Sequence, residues 1–305
     1  MTEWLAALRD RAGAVPLAMI SVLACEGSAP RGAGTRMLVT AESQIGTIGG
    51  GHLEYRAVEQ ARAALAHDAG TWRVQDYPLG PLLGQCCGGR VRLLIEHLDP
   101  QALDWLADAR EDLVLVTRLA EQGIERRLAP DATPAPVPAR GPLPGVGALF
   151  VERLGQYRRP LYLFGAGHVG QAIANHATNL PFRLAWFDPR PEFSVRQGVT
   201  TVAADDLPDC VADAPDDAAL VILTHDHALD YRLALAAVQR QPIAFVGLIG
   251  SQTKRARFMA RLARDGVARH DADRLVCPIG LPGVPGKEPD VIAIATLAQL
   301  LGLGA

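Results

Sequence analysis

The sequence predicts an α/β protein in which an N-terminal mixed α/β domain is joined by a Pro-rich linker to a C-terminal doubly wound parallel sheet. Three observations lead to this fold class. The chain has 305 residues, a length typical of two domains. Six prolines and only two charged residues fall in residues 130–147, a composition typical of an extended linker. Beyond that segment, short apolar strand patterns alternate with amphipathic helix patterns.

Residues 1–129 form the predicted N-terminal domain. One helix is predicted near residues 3–11, and a second at 53–65, where Leu53, Ala57 and Ala61 share one face. The predicted strands of this domain cover residues 17–24, 37–40, 72–76, 91–96 and 113–118. This mixture of elements is typical of an α/β domain.

Residues 148–305 form the predicted C-terminal domain. Its predicted strands cover residues 161–164, 184–188, 220–224 and 244–249. The first strand is followed by the pattern G-x-G-x-x-G, formed by Gly165, Gly167 and Gly170 around His168. In this context the first glycine makes the turn, the second admits a phosphate to the backbone, and the third lets helix and strand pack closely. The sequence therefore predicts a Rossmann fold, with glycines that serve either a ligand or only tight packing.

Asp188 ends the second strand of this domain, 18 residues after Gly170. A carboxylate there would accept a hydrogen bond from a ribose 2′-hydroxyl and repel a 2′-phosphate. The sequence therefore favours an NAD-like nucleotide over a 2′-phosphorylated one. A fold does not imply a function, so a groove that binds no nucleotide remains the alternative.

Polar side chains follow the later strands, at the edge where ligands of such sheets bind. His225, Asp226 and His227 follow the third strand, and a ligand contact, a metal site or a helix-capping turn would each suit them. Lys254 and Lys287 precede helices, whose N-termini attract anions. They are the only two lysines in the chain. The loop of the second lysine fails the Walker A spacing, which argues against a nucleoside triphosphatase.

A glycine-rich segment of the first domain is a candidate for ligand contact. Gly49, Gly50 and Gly51 precede His52 and the predicted helix at 53–65. Consecutive glycines let a backbone wrap a ligand and direct N–H groups at an anion. A glycine-rich turn without a ligand is the alternative.

The segment 80–90 contains two adjacent cysteines, Cys86 and Cys87, preceded by Gln85 and followed by two glycines and Arg90. Adjacent cysteines do not suit the usual C-x-x-C zinc site, whereas thiolates suit soft metals and sulfur chemistry. A nearby guanidinium would lower a thiol pKa. At least one functional thiol is predicted, with a buried structural pair as the alternative. The other cysteines are predicted to be small core residues: Cys25, Cys210 and Cys277.

The composition limits the classes of partner and compartment. A net charge of −3 provides no general attraction for nucleic acid or an anionic membrane, and no apolar run reaches the ~18 residues of a spanning helix. Five cysteines without a disulfide spacing favour a reducing compartment. The apolar stretch 12–25 ends like a lipoprotein cleavage box, but Glu3, Asp10 and Pro16 are atypical of an export signal. A cytoplasmic protein is predicted.

Six segments of the chain together resemble a known family. They are residues 26–31, which end at Arg31, and residues 46–54, 79–89, 163–170, 224–230 and 278–289. The combination resembles the XdhC/CoxI family, the accessory proteins that mature molybdenum hydroxylases such as xanthine dehydrogenase. The run from Gln85 to Gly89 is specific, and the ending Gly286-Lys287-Glu288-Pro289 is similar to the xanthine dehydrogenase (XdhC) branch.

The resemblance implies a chaperone without turnover of its own, and hence more a carrier than an enzyme. It would bind molybdenum cofactor in its molybdopterin form, protect it while its terminal sulfur is installed, and deliver it to apo xanthine dehydrogenase or a related molybdenum hydroxylase. A cysteine desulfurase and a second copy of the chain are the other implied partners. Distant members carry Cys where this chain has His52, so a thiol role is not expected there.

Residue chemistry and resemblance together give the expected cofactor-binding residues. These are Arg31, Gly49, Gly50, Gly51, His52, Gln85, Cys86, Cys87 and Arg90 in the first domain, and Gly165, Gly167, His168, Gly170, Asp188, His225, Asp226, His227, Lys254 and Lys287 in the second. Cys86 and Cys87 are further expected to contact the molybdenum. The second group would suit an NAD-like nucleotide as well.

Two other functions remain open from the sequence. An NAD(H)-dependent oxidoreductase would use the glycine pattern with His168, His225 or His227 as acid or base. A non-catalytic scaffold would join the desulfurase to the hydroxylase without holding the cofactor.

Overall fold

The structure, a computed structural model, describes residues 3–80, 89–110, 113–155 and 157–303. It divides the chain into two compact units, Met1–Tyr157 and Arg158–Ala305. The first unit contains helices α1 (Glu3–Arg11) and α2 (Gly51–Ala64) among its described residues. Its strands are β1 (Ala18–Glu26), β2 (Arg36–Val39), β3 (Gln44–Gly46), β4 (Trp72–Pro78), β5 (Arg90–His97), β6 (Val114–Ala120), β7 (Gly123–Leu128) and β8 (Leu149–Arg153).

The first unit has two antiparallel sheets, with strand orders β3-β2-β1-β5-β4 and β7-β6-β8. Ile20, Val22, Leu93 and Ile95 alternate to the face of the larger sheet that packs on α2. From the opposite face, Leu23 and Leu94 pack with residues of the smaller sheet, among them Leu119 and Phe150. A buried ion pair between Glu96 and Arg126, each 3% exposed, joins the two sheets. The larger sheet is therefore buried on both faces.

The Pro-rich segment belongs to the first unit in this structure. Arg92, on β5, donates hydrogen bonds to the carbonyl oxygens of Pro138 (2.9 Å), Gly141 (3.0 Å) and Pro142 (3.3 Å). After it, β8 pairs with β6, so residues 148–157 lie with the first unit and not with the second. The sequence placed the second domain from residue 148 onward. The difference arises because strand partners 31 to 39 residues apart, from Arg118 with Leu149 to Val114 with Arg153, and a buried arginine leave no local pattern in the sequence.

The second unit is a six-stranded parallel sheet with strand order β11-β10-β9-β12-β13-β14. Its strands are β9 (Arg159–Phe164), β10 (Phe182–Asp188), β11 (Val199–Thr201), β12 (Ala219–Ile222), β13 (Phe245–Leu248) and β14 (Leu275–Val276). Its described helices are α3 (His168–Ala177), α4 (Leu207–Ala212), α5 (His227–Gln239), α6 (Gln252–Arg264), α7 (Arg269–Ala272) and α8 (Pro289–Leu301).

Helices cover both faces of this sheet, which confirms the predicted doubly wound fold. Along β9, Leu161 and Leu163 pack with α3 and α8, whereas Phe164 belongs to the cluster on the opposite face with α4, α5 and α6. The strand order reverses between β9 and β12. In open parallel sheets, ligands bind at the carboxyl ends of the strands at such a switch point. Gly165 begins the loop that leaves β9 at this point.

The predicted strands are confirmed with shifts of a few residues at their ends. The described strands that the sequence missed all lie at sheet edges: β3, β7, β8, β11 and β14. Three of them, β3, β11 and β14, have only two or three residues and therefore carry no readable periodicity. Within the part of the chain that the structure describes, every helix is too short or too polar to cross a lipid bilayer.

Candidate functional site

Three sequence segments that carry the resemblance meet at one end of the larger sheet of the first unit. A Cβ built on Gly49 would lie 2.3 Å from Cβ of Pro30, and one built on Gly89 would lie 2.4 Å from the carbonyl oxygen of Ser28. Only glycine allows such contacts, because Cβ atoms are not found within 3.0 Å of other heavy atoms. The loop 27–31 is therefore held between the glycine-rich loop 46–51 and the residue that precedes β5.

Glu54 closes the glycine-rich loop from the first turn of α2. Its Oε2 accepts hydrogen bonds from the backbone N–H groups of Ile48 and Gly50, both at 3.0 Å, and from the hydroxyl of Thr47. The N–H of Gly49 donates to Oγ1 of Thr47 at 3.0 Å. Burial raises the pKa of Glu54, but these hydrogen bonds outweigh it, so the pKa lies below its ordinary value.

The glycine-rich loop thus differs from the sequence expectation that its amides face an external anion. The amides of Ile48, Gly49 and Gly50 already have acceptors within the chain, because an acidic residue follows Gly50 by four positions. Gly51 and His52 are exposed at the start of α2. A ligand at this loop would meet side chains and exposed backbone rather than a ring of free amides.

Glu54→Gln should lower the free energy of unfolding by about 1–2 kcal/mol at pH 7, because a neutral amide accepts the loop hydrogen bonds less strongly at the positive end of a helix. The folded pKa of Glu54 is lowered, so its contribution is present above its ordinary pKa of 4.5 and is lost as pH falls through the folded value. Urea unfolding of both proteins at pH 7 and at the lowest pH that preserves the fold measures this.

The matched control for that prediction is Glu59→Gln, a neutralised acid on the same helix. Glu59 is exposed and forms one ion pair with Arg56 at 3.7 Å, so its loss should change stability by less than about 0.5 kcal/mol. Equal losses in the two variants, or a Glu54→Gln effect that persists at low pH, would contradict the assignment.

A cavity of about 890 Å³ opens beside the same loops in the first unit. Its lining includes Cys25, Arg31, Gly46 and Thr47. Arg31 is exposed, and no described residue forms a hydrogen bond or ion pair with its guanidinium. Farther in, Arg36 is buried, pairs with Glu152 and keeps an Nε atom without a partner among the described residues. The lining also includes Arg153 and the acids Glu3 and Glu152, so its arginines outnumber its acids by one. The cavity is therefore a roomy site with a small excess of positive charge, a combination suited to an anionic ligand.

The remaining N-terminal site residues are only partly within the described structure. Gln85, Cys86 and Cys87 lie outside the described residues. The flanks of their segment are placed, because the N–H of Leu79 donates to the carbonyl of Gly89 at 2.9 Å. Arg90 donates from Nη1 to Oδ2 of Asp76 at 3.2 Å, and its effect on a thiol pKa stays a prediction because the two cysteines lie outside the described residues.

The other three cysteines differ in burial. Cys277 is buried, and burial raises its thiol pKa, as expected of a core residue. Cys210 is half-buried, and burial together with nearby aspartates raises its pKa. The core prediction is wrong for Cys25, which is exposed on the cavity lining. Strand β1 emerges from the core over its last two residues, a change that the apolar run did not reveal.

The second unit presents a glycine loop with the geometry that its pattern predicts. A Cβ on Gly165 would lie 2.3 Å from the carbonyl oxygen of Leu223, and one on Gly170 would lie 2.1 Å from that of Gly165. A Cβ on Gly167 would meet nothing within 4 Å. Gly165 and Gly170 therefore serve close packing, whereas Gly167 leaves open space. His168 is exposed at the start of α3.

Asp188 is fully buried and has no oxygen free for a ribose. Oδ2 accepts from the N–H of Ala166 at 2.6 Å and from Nη2 of Arg190 at 2.8 Å, and Oδ1 accepts from the backbone N–H and Nε of Arg190, both at 2.9 Å. Burial raises the pKa of Asp188, but these bonds outweigh it and the pKa is lowered. This differs from the expectation of a ribose acceptor, because Arg190, two residues farther along the chain, occupies both carboxylate oxygens.

The loop after β12 carries the three residues predicted as a ligand, metal or capping group. Asp226 caps α5, since its Oδ1 accepts from the N–H of Ala228 at 2.7 Å. His225 and His227 are exposed beside it. Among the described ranges, no three His, Cys, Asp or Glu side chains lie together as metal ligands would.

Lys254 forms a buried ion pair that the sequence did not predict. Its Nζ donates to Oδ2 of Asp230 at 2.7 Å and to the carbonyl of Ile249 at 2.9 Å. Asp230 is fully buried, and its Oδ1 accepts from the N–H and hydroxyl of Thr224 at 3.0 and 2.7 Å. An acid within the apolar face of α5 was the available signal. Lys287, by contrast, is exposed.

Comparison with known proteins agrees with this arrangement. Residues 161–300 match the family profile described as the XdhC Rossmann domain, and residues 11–78 match the profile of the XdhC and CoxI family. The chain belongs to the XdhC and CoxI family. The resemblance carried by the six sequence segments is thereby confirmed, and the Rossmann assignment of the second unit with it.

Two relatives extend the comparison for this XdhC-family chain. "Uncharacterized protein YqeB" of Escherichia coli (strain K12) is 28% identical over 294 residues, which cover 94% of this chain and 43% of the relative. The chain therefore spans less than half the length of that curated relative. A Bacillus halodurans protein, whose crystal structure is described as that of a xanthine dehydrogenase, is similar with a TM-score of 0.71 and 21% identity. That similarity covers 99% of this chain and 96% of the other, and shows the shared fold.

Proposed function

We propose that this protein binds molybdenum cofactor and delivers it to an apo xanthine dehydrogenase or a related molybdenum hydroxylase. The observation that carries the proposal is the cavity of about 890 Å³ in the first unit. Its lining includes Arg31 from one family segment and Gly46 and Thr47 from another, and Gly89, which follows the Cys86-Cys87 segment, packs on the loop that leads to Arg31. Residues of two family segments thus line one ligand-sized cavity, and a third segment packs against the loop that carries Arg31.

The chemistry of the cofactor matches the side chains around this cavity. Molybdopterin carries a phosphate, a flat polar pterin and a metal held by dithiolene sulfurs. The guanidinium of Arg31, which has no partner among the described residues, suits the phosphate, since guanidinium groups bind phosphate oxygens in pairs. Thiolates suit a soft metal, so Cys86, Cys87 or both are the proposed contacts to molybdenum or its sulfur.

The proposal extends to partners and to place. A cysteine desulfurase would supply the terminal sulfur while the cofactor is held, and the chain would act as a homodimer in the cytoplasm without turnover of its own. In this view the protein excludes water and oxidants from the cargo, and the hydroxylase alone performs redox chemistry.

The Cys86→Ala/Cys87→Ala double variant should retain about one tenth of the cofactor that the parent retains, or less. The reason is that it lacks both thiolates proposed to contact the metal. The measurement loads each protein anaerobically with cofactor released from a molybdenum enzyme, then counts molybdenum by mass spectrometry and pterin by fluorescence. Cys210→Ala is the matched control, since it removes a thiol from the second unit. Parent-like retention and transfer by the double variant would contradict the proposal.

The open geometry at Gly167 favours a second candidate, an NAD(H)-dependent oxidoreductase. It would need an acid or base, and His168, His225 and His227 are the exposed candidates. Assaying the purified chain with NADH and an added hydride acceptor, a panel of small carbonyl compounds or a redox dye, without any hydroxylase, separates the two functions. Sustained NADH turnover by the chain alone would favour the oxidoreductase and overturn the carrier.

A further inference from the structure

At the end of β10, the exposed charge is the positive charge of Arg190 and not the negative charge of Asp188 that the sequence suggests. In a Rossmann fold, the end of the second strand faces the adenosine ribose of a bound dinucleotide. Here that position is Asp188, whose carboxylate is fully buried and already accepts four hydrogen bonds. A ribose hydroxyl could donate to it only by displacing Arg190.

The group exposed at this place is the guanidinium of Arg190, whose side chain is 25% exposed. It lies 4.3 Å from the ring centre of Phe193. Nε and Nη2 are used on Asp188, and Nη1 has no partner among the described residues. Arg190 is therefore held in a fixed orientation with donor capacity to spare. Glu192 is the exposed acid close enough to influence it.

A second arginine, Arg196, lies in the same segment between β10 and β11. Nη2 of Arg196 donates to Oε1 of Gln171 at 2.7 Å, and Nε2 of Gln171 donates to the carbonyl of Ala166 at 2.8 Å. The guanidinium of Arg196 also lies 5.9 Å from the ring centre of Trp186, two residues before Asp188 on β10. Two arginines are thus linked to Ala166 of the glycine loop by hydrogen bonds. Arg190 is linked through Asp188, and Arg196 through Gln171.

The glycine loop itself fits a nucleotide. The tight contacts at Gly165 and Gly170 hold β9 and α3 together, and the space at Gly167 lets a phosphate approach the start of a ten-residue helix. The N–H of Ala166 joins this loop to Asp188, so the site for the bridging phosphates and the Arg190 guanidinium are neighbours.

We propose that this groove binds an adenosine nucleotide that carries a phosphate on its ribose, in preference to one with free ribose hydroxyls. Arg190 binds the ribose phosphate with Nη1. Asp188 fixes the orientation of the guanidinium by hydrogen bonds, and the ring of Phe193 packs against the guanidinium. Asp188 acts as a positioning residue. This ligand preference is independent of cofactor handling by the first unit.

The test is calorimetric titration of the full chain with 2′,5′-ADP, 3′,5′-ADP and 5′-AMP. We expect at least one of the two bisphosphates to bind about tenfold or more tightly than 5′-AMP, with a preference that weakens in salt. A 2′ preference indicates an NADP-type ligand, and a 3′ preference a coenzyme A-type ligand. Equal affinities, tighter binding of 5′-AMP, or no binding of any bisphosphate at millimolar concentration would overturn the proposal.

Arg190→Gln supplies the second readout, because it removes the cation and leaves the charge of Asp188 uncompensated. The bisphosphate preference should disappear or reverse toward 5′-AMP. Arg190→Lys, which keeps the charge, should retain part of the preference and guards against loss of the fold in the first variant. Arg269→Gln, at an arginine that is 92% exposed in the same unit, should leave the preference unchanged. An unchanged preference in Arg190→Gln would overturn the assignment to this residue.

Discussion

Gly170→Ala should destabilise the second unit by about 3 kcal/mol or more. The added Cβ would lie 2.1 Å from the carbonyl oxygen of Gly165 and 3.0 Å from Cδ1 of Leu223. The leucine side chain can rotate, but the carbonyl is backbone inside the glycine loop, so β9 and α3 would have to separate. Alanine is worth about 1 kcal/mol more than glycine within a helix, which is too little to offset the clash.

Gly167→Ala is the matched control within the same loop. Gly167 has φ of −67°, and a Cβ there would meet nothing within 4 Å, so stability should change by less than about 1 kcal/mol. Trp186 is the single tryptophan of the second unit, and its indole N–H donates to the carbonyl of Gly165 at 2.9 Å. Urea unfolding is followed by tryptophan fluorescence in a background where Trp4, Trp72 and Trp105 of the first unit are replaced by Phe, so that the signal of Trp186 reports on this loop. Equal midpoints for the two variants would contradict the packing role of Gly170.

Arg92→Ala should cost the first unit about 3–5 kcal/mol, because it breaks a buried ion pair from one side. Arg92 is 0% exposed, donates to both oxygens of Asp76 at 2.7 and 3.0 Å, and binds three carbonyl groups of the Pro-rich segment. The hydrogen bond from Arg92 is the main cause of the lowered pKa of Asp76. Without Arg92, three carbonyl oxygens lose this donor, and Asp76 is left with the weaker hydrogen bond from Arg90 at 3.2 Å.

Arg90→Ala is the comparison that separates burial from charge. Arg90 lies on the same strand and contacts the same Asp76, but through one bond of 3.2 Å and with 34% of its side chain exposed, so about 1 kcal/mol is expected. Limited proteolysis gives a second measurement. Cleavage within residues 130–147 should accelerate in Arg92→Ala and stay at the parent rate in Arg90→Ala. Equal cleavage rates would show that Arg92 does not hold the segment.

The Rossmann unit could be predicted because its signals are local. A strand, three glycines and a helix fall within 20 residues, and the strands alternate with helices in sequence order. The pairing of β8 with β6 could not, because it joins residues separated by the whole Pro-rich segment. Proline content indicates stiffness, and it does not tell which surface the stiff segment contacts.

For the site residues, too, features with a local sequence signal could be predicted, and contacts between side chains could not. The sequence by itself determined the two-unit α/β organisation, the glycine loop and the family, since each depends on short-range pattern or on motif identity. Only the tertiary structure decided which partner each charged side chain binds. Glu54 accepts hydrogen bonds from the amides of its own loop. Asp230 pairs with Lys254, and Asp188 pairs with Arg190. Each of these residues is a charge whose role depends on the partner within about 3 Å, and a sequence lists charges without their partners.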